Sequence, residues 1–341
     1  MLPQTLDEVQ KIVDKLDDPR NLLGKDVDTV HANLRKLLFI THPDRNPGDL
    51  RAVMFTQLLQ TLAEEAVKPY VTITTKKRTY KLLRRKAIGD ISNVYLGESG
   101  KKRYIIKESR GKQGNRLLET EHKNLATLLK EAGDLTYHKY LPLIVETHLE
   151  TGKEAKRFNI SVYNPDYLTL EEVHSRQPQL EGRHLAWIFK RLLTAIGFCH
   201  RYGIVHGAVL PSHVMIDPVN HGLQLIGFGQ SLKAGSVQKI GSAKYLNYYP
   251  AETRTKGAVG SYTDIFQAAC NILFLAGVNP IIPLQEGLND AKIPGKFKAL
   301  LRACLITNPV GRPNDAWELY DELVKVLEKV YGKPKFCVLE V

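Results

Sequence analysis

The hydrophobic pattern of the sequence changes once, close to Pro69, and this change most constrains the fold. Before it, apolar residues such as Leu6, Val9 and Val13 recur at the spacing of amphipathic helices. After it, short β-branched runs separated by turns predict strands. From about Leu168 onward the pattern is mostly helical. The sequence therefore predicts an α+β protein in the order helical unit, sheet-rich lobe, helix-rich lobe.

Three helices are predicted within the first 68 residues. The second ends near Thr41, because Pro43 and the run 46–48 break it, and Asp49 is predicted to cap the third. Further on, a helix is predicted over about 115–132. Strands are predicted at 71–75, 80–83, 94–96, 104–106, 143–149, 158–163, 204–205, 214–216 and 223–226.

Several classes of protein are disfavoured. Hydrophobic residues make up 43% of the 341 residues, which is typical of a globular chain and not of a disordered one. The most apolar stretch, 265–278, is too short for a membrane span and carries Gln267 and Asn271. No CxxC pair, HExxH motif or Cys/His cluster indicates a metal site. With no apolar leader after a basic start, we expect a cytoplasmic protein.

Positive charge is concentrated in one segment. The net charge is +12, yet residues 1–70 hold 9 basic and 11 acidic side chains. Residues 76–112 hold 13 basic and 3 acidic side chains, and on outward-facing strands they would form a docking surface for an acidic protein or for nucleic acid. The ordinary alternative is a solvated basic face. The predicted basic docking patch comprises Lys76, Lys77, Arg78, Lys81, Arg84, Arg85, Lys86, Lys101, Lys102 and Arg103.

His42, Pro43 and Asp44 form an HPD tripeptide between the second and third predicted helices. Because proline fixes φ, this turn can hold its neighbours at fixed angles. With Arg35 and Lys36 on the preceding helix, the segment resembles the J domain of DnaJ-type co-chaperones. The resemblance implies that these five residues bind a DnaK-type ATPase chaperone. A helical hairpin with only a scaffold role is the alternative.

A second set of motifs follows in order between residues 80 and 330, and together they resemble the protein kinases. They are 88–95, Lys107, Glu121, 206–214, 227–229, 250–252, Asp264 and Arg312. The resemblance implies a bilobal kinase-like fold in which Gly89, Lys107 and Glu121 bind nucleotide phosphates. Alternatively, Lys107 and Glu121 form only a structural salt bridge.

Four positions depart from the kinase pattern. By the resemblance, Ala208 replaces the catalytic aspartate, Leu210 the loop lysine, His213 the metal-binding asparagine and Gly227 the DFG aspartate. Magnesium prefers oxygen ligands, so the base and the metal ligands are lost together. We therefore predict a pseudokinase with no catalytic residues, no metal and at most weak, metal-independent ATP binding.

The remaining motif residues are predicted to be architectural. Glu252 and Arg312 would form a buried ion pair, and Asp264 would hold the backbone of the loop at 206–214. His206 and Phe228 would fill a hydrophobic column behind that loop.

These observations predict a small J-domain-like helical unit followed by a bilobal kinase-like fold. The predicted function is a non-catalytic co-chaperone or adaptor, with an acidic protein client and no membrane contact. One alternative is an atypical nucleotide-dependent transferase using Lys107 and Glu121, and another is a nucleic-acid-associated module using the basic small lobe. The predicted boundaries are 1–68 for the helical unit, 69–79 for a basic linker, 80–332 for the kinase-like domain (small lobe 80–164, large lobe 165–332) and 333–341 for a C-terminal tail.

Overall fold

The computed structural model describes residues 2–133, 136–238, 241–279 and 284–341. These residues form two compact units. No helix in the described ranges is long and apolar enough to cross a membrane. The first unit comprises Met1–Gly114 and Val145–Pro165, and the second comprises Asn115–Ile144 and Asp166–Val341.

The first unit begins with four helices. The predicted cap Asp49 accepts a hydrogen bond from the Arg51 amide at 3.0 Å, which fixes the start of the fourth helix. The sequence did not predict the short second helix, which Pro19 begins and Gly24, at φ +105°, ends after one turn. The helices are α1 (Leu6–Asp14), α2 (Arg20–Leu23), α3 (Val27–Thr41) and α4 (Leu50–Val67), and they enclose a core that includes Leu23, Leu37, Phe55 and Leu59.

A six-stranded sheet completes the first unit, in the order β1-β2-β3-β4-β6-β5. Strand β2 begins where the sequence predicts a strand to start, at about Tyr80, and continues through the basic run to Ile88. The strands are β1 (Thr72–Thr74), β2 (Thr79–Ile88), β3 (Ser92–Ser99), β4 (Lys102–Ser109), β5 (Ile144–Leu149) and β6 (Arg157–Val162). Their buried face carries Ile73, Tyr80, Tyr104, Ile106, Phe158 and Ile160.

The second unit is mainly helical and is built around two buried helices, α7 and α9. Its helices are α5 (Gly111–Ala132, which begins in the first unit), α6 (Leu170–Arg176), α7 (Gly182–Arg201), α8 (Ala251–Arg254), α9 (Ser261–Leu275), α10 (Leu284–Asp290), α11 (Gly295–Cys304) and α12 (Ala316–Tyr331). Its short strands are β7 (Leu168–Thr169), β8 (Ile204–Val205), β9 (Val214–Asp217), β10 (Gly222–Leu225) and β11 (Leu232–Lys233).

The last residues of the chain pack against this unit. Leu339 is buried, and its amide donates to the Pro218 carbonyl at 3.1 Å. The His221 ring lies between Trp187 and Phe336, with centroids 4.1 and 4.2 Å away. The predicted tail is therefore part of the folded unit.

Candidate active site

The loop after β8 is fixed by one buried carboxylate, that of Asp264 on α9. It accepts hydrogen bonds from the His206 amide at 2.7 Å and from the Gly207 amide at 2.8 Å. It also lies 2.8 Å from His200 Nε2. Hydrogen bonds to a charged acceptor in a buried setting are among the stronger ones. The predicted role of Asp264 in holding this loop agrees with these contacts.

Two further residues of α9 hold the same loop, and the sequence analysis did not assign them to it. Gln267 Oε1 accepts the Val209 amide at 2.9 Å, and Asn271 Nδ2 donates to the Val209 carbonyl at 2.8 Å. Both side chains are buried. The sequence does contain a pattern that indicates this role, because positions 264, 267 and 271 lie on one face of a helix and are polar within an otherwise apolar stretch.

The ring of His206 packs edge-on against Phe228, with centroids 4.6 Å apart. His206 Nε2 lies 3.0 Å from the Ile226 carbonyl, which can only accept, so this nitrogen carries the proton. Both residues are fully buried. The predicted column of His206 and Phe228 is therefore present behind the loop.

The predicted ion pair between Glu252 and Arg312 is also present. The two guanidinium nitrogens donate to the two carboxylate oxygens at 2.8 Å each. The side chain of Arg312 is completely buried, and that of Glu252 is 6% exposed. Arg312 also donates to the carbonyls of Ile306 and Thr307, so this pair joins three segments of the second unit.

The positions that depart from the kinase pattern are buried or half-buried, and two of them, 213 and 227, lie in close contact. Ala208 and Leu210 are fully buried, whereas His213 is half-buried. His213 Nδ1 lies 2.9 Å from the Ala208 carbonyl, which can only accept, so Nδ1 carries a proton. Gly227 has φ +84°, and a Cβ atom placed there would lie 2.7 Å from the His213 ring. The imidazole thus occupies the space that a side chain at position 227 would need.

Gly227→Ala is expected to lower the free energy of unfolding by about 2–3 kcal/mol, because it adds a left-handed backbone penalty to a steric overlap. Gly235→Ala is the matched control, since Gly235 has φ +83° and nothing within 4 Å of the added Cβ. The difference between the two variants in urea unfolding measures the overlap alone. Adding His213→Ala to Gly227→Ala should remove that difference, and a persisting difference would contradict the steric account.

The residues predicted to bind nucleotide phosphates lie in different parts of the chain. Gly89 forms a tight turn, in which its amide donates to the Ser92 carbonyl at 2.8 Å. Lys107 lies on β4 in the first unit, and Glu121 lies buried on α5 in the second. Their assignment to a nucleotide stays a prediction.

The HPD turn is ordered and exposed. His42 caps a short 3₁₀ helix, Pro43–Arg45, by accepting the Asp44 amide on Nδ1 at 3.2 Å. On the preceding helix, Arg35 and Lys36 are also exposed. The assignment of these residues to a chaperone contact stays a prediction.

The ten predicted patch residues do not form one exposed surface. Arg84 is buried, and its Nη1 donates to the carbonyls of Val13 and Leu16 at the end of α1, at 3.2 and 2.9 Å. Arg103 Nε donates to Asp17 at 3.1 Å. Arg84 therefore does not face outward, and Arg103, whose side chain is 35% exposed, is partly engaged, because both contact the segment around residues 13–17.

Two more patch residues have partners within the first unit. The amide of Arg85 donates to Glu65 at 3.3 Å, and burial raises the pKa of that carboxyl despite the nearby arginines. Lys81 pairs with Glu98 at 3.3 Å. Internal pairing is therefore more extensive than the three acidic residues of segment 76–112 suggested, because the segment between α1 and α2 contributes Asp17 and α4 contributes Glu65.

No protein-family model matches the chain. Serine/threonine-protein kinase AfsK of Streptomyces coelicolor is 24% identical over 165 residues, covering 43% of this chain and 20% of that protein. Protein kinase gsk3 of Schizosaccharomyces pombe is 29% identical over 221 residues, covering 60% of this chain and 52% of that protein. The chain thus spans about a fifth of the first relative and about half of the second.

Among solved structures, the crystal structure of the BubR1 kinase domain matches with a TM-score of 0.58 and 15% sequence identity. The match covers 77% of this chain and 84% of that one. At this identity the likeness concerns the fold alone.

These comparisons contradict two predictions. The relatives named above are protein kinases, and PknB of Mycolicibacterium smegmatis, 25% identical over 187 residues, is also named a serine/threonine-protein kinase. They give no support to a non-catalytic co-chaperone or adaptor, or to the conclusion that the chain is not an enzyme. The replacements at 208, 210, 213 and 227 are changes within a kinase-like site and do not establish a pseudokinase. The fold and the relatives together show that the chain carries a protein-kinase-like domain of mixed helices and sheet.

Proposed function

We propose that the kinase-like domain transfers a phosphoryl group from a nucleotide to a serine or threonine hydroxyl of a protein. The observation that carries this proposal is the anchoring of the loop backbone at His206 and Gly207 by the Asp264 carboxylate. Phosphoryl transfer depends mostly on positioning and electrostatics, so a rigid loop is the feature it most needs. Two of the relatives are named serine/threonine-protein kinases, which supports phosphoryl transfer to the same acceptor residues.

We assign His213 as the general base that takes the proton of the acceptor hydroxyl. The loop has no carboxylate at position 208, and the half-buried imidazole of His213 directs Nδ1 at the Ala208 carbonyl, so Nε2 is the nitrogen that would take a proton in this scheme. In this scheme the hydroxyl proton passes to Nε2 while the oxygen attacks the terminal phosphorus. The bond to the nucleoside diphosphate breaks, and the diphosphate leaves with the electron pair. An imidazole can serve as such a base near neutral pH.

The donor set of the loop does not fit a magnesium ion. Position 227 has no side chain, and position 213 offers a nitrogen where magnesium prefers oxygen. Within the described ranges, no group of three or more His, Cys, Asp or Glu side chains could hold a metal ion. We therefore assign no step to a metal held by this loop, and metal-independent nucleotide binding remains part of the proposal.

The test is phosphate incorporation from a radiolabelled nucleotide into a generic protein substrate by the full chain. The expected rate is low, about 10²–10⁴-fold below that of a kinase with a carboxylate base. His213→Ala and Lys107→Ala should each abolish it, whereas His31→Ala, at an exposed histidine of α3, should not. If the wild-type chain shows no incorporation, or if His213→Ala leaves it unchanged, the proposed function is wrong.

For the first 68 residues we propose only the J-like arrangement of helices. Two helices, α3 and α4, flank an ordered and exposed HPD turn, and this supports the resemblance at the level of structure.

A further inference from the structure

One end of the six-stranded sheet displays four exposed lysines, Lys76, Lys77, Lys101 and Lys102, which we call the lysine edge. Within the described part of the chain, none of the four takes part in a salt bridge. The lysine edge is the part of the basic segment that lies in the two turns at this end of the sheet.

The register of the strands brings the four lysines together. Lys76 and Lys77 lie in the turn between β1 and β2, and Lys101 and Lys102 lie at the turn between β3 and β4. Because Lys81 pairs with Glu98, both turns lie at the same end of the sheet. Strands are about 4.8 Å apart, so the two turns are centred about 10 Å from each other. This is close to the Debye length of about 8 Å at physiological ionic strength, so the four charges reinforce one another.

Hydrogen bonds hold the turn between β1 and β2 in a fixed conformation. The Thr75 hydroxyl accepts the amides of Lys77 and Arg78 at 3.2 and 3.1 Å, and it donates to the Arg78 carbonyl at 2.9 Å. In the other turn, Gly100 adopts φ +62° with open space around it. Ordered turns present their side chains with less loss of entropy on binding than a mobile loop would.

The carboxylates near this end are already engaged. Glu98 pairs with Lys81 and Arg103, and Asp17 also pairs with Arg103. Glu146 accepts the buried Tyr80 hydroxyl at 2.8 Å. Burial opposes ionisation of Glu146, but its hydrogen bonds and the charges of Lys77 and Arg78 lower its pKa. It is thus a partial counter-charge for Lys77 only.

We propose that the lysine edge binds an acidic polypeptide segment in an extended conformation. An extended segment rises about 3.3 Å per residue, so about four residues span the two lysine pairs, which lie about 10 Å apart. Single-stranded nucleic acid is bound through aromatic stacking as well as basic side chains, and it is the less fitting partner here because Tyr80 and Tyr104 are buried. Arg84 and Arg103 are engaged with the segment around residues 13–17, whereas Arg78 is exposed beside Lys77.

The test measures binding of the full chain to a fluorescent peptide of alternating glutamate and serine. Binding should weaken when salt is raised from about 50 to about 200 mM. Changing the four lysines to Gln should weaken it about tenfold, because exposed charge contacts are individually small. The matched control changes Lys325, Lys329, Lys333 and Lys335 to Gln, which removes the same charge from an exposed region of the second unit. It should leave the affinity unchanged.

Three outcomes would overturn the proposal. Equal weakening by both sets would mean that only net charge matters. No binding of the peptide at low salt would mean that the lysines merely keep the hairpins beside edge strand β1 solvated. Tighter binding of a DNA duplex, lost in the first variant, would identify nucleic acid as the partner. Each result is independent of phosphoryl transfer, so the two proposals can fail separately.

Discussion

Replacing Arg312 by Met is expected to lower the free energy of unfolding of the second unit by about 3–5 kcal/mol, because it leaves a buried carboxylate without its partner. Glu252 is 6% exposed and receives two charged hydrogen bonds from Arg312, so water cannot replace the lost contact. The carbonyls of Ile306 and Thr307 lose their donor as well. The variant should unfold at markedly lower urea concentration.

Tryptophan fluorescence is a suitable measurement, because both tryptophans, Trp187 on α7 and Trp317 on α12, lie in the second unit. The double variant Arg312→Met with Glu252→Leu should be more stable than the single variant, since it removes the orphaned charge. As a control, Lys123→Met removes an exposed pair with Glu119 and should cost about 0.5 kcal/mol or less. Equal stability of Arg312→Met and Lys123→Met would contradict a structural role for the buried pair.

The sequence was informative where function and fold depend on spacing along one element. Asp264, Glu252 and Arg312 were placed correctly because they belong to an ordered set of motifs, each short enough to recognise locally. The helices α3 and α4 were predicted from apolar spacing and from the cap Asp49. In each case the signal and the structure lie within a few residues of one another.

The sequence was misleading where the partner of a residue lies far along the chain. Arg84 contacts Val13 and Leu16, which precede it by 71 and 68 positions. Arg103 contacts Asp17, which precedes it by 86 positions. The sequence of segment 76–112 does not reveal that two of its arginines form hydrogen bonds with such distant residues. The steric relation between His213 and Gly227 is likewise tertiary, because it depends on how two turns approach each other.

The prediction of a pseudokinase rested on the absence of catalytic residues, and the comparisons contradict it. The absence of a carboxylate at position 208 predicts slower chemistry, but it does not by itself exclude chemistry, because positioning supplies a large part of the rate. The contacts of Asp264, Gln267 and Asn271 keep the loop ordered around the replaced residues.

Arg84→Glu is expected to cost about 3–5 kcal/mol and to release α1 from the sheet, because it places an unpaired carboxylate in a buried site. The change removes the donor to the Leu16 carbonyl at 2.9 Å and sets a negative charge against that oxygen. A variant that reverses Arg84, Arg85 and Lys86 together should lose the same attachment, so it cannot isolate a binding surface.

Hydrogen exchange of the α1 amides, Leu6–Asp14, is the direct measurement, because both tryptophans lie in the other unit. Exchange there should become much faster in Arg84→Glu, while the amides of α9 should be unchanged. Lys102→Glu is the matched control, since Lys102 is exposed on the same sheet, and it should change stability by about 0.5 kcal/mol or less. Arg84→Met separates charge from hydrogen bonding and should lie between the two, at about 1–3 kcal/mol. If α1 stays as protected in Arg84→Glu as in the control, the helices are held to the sheet by their apolar contacts and not by Arg84.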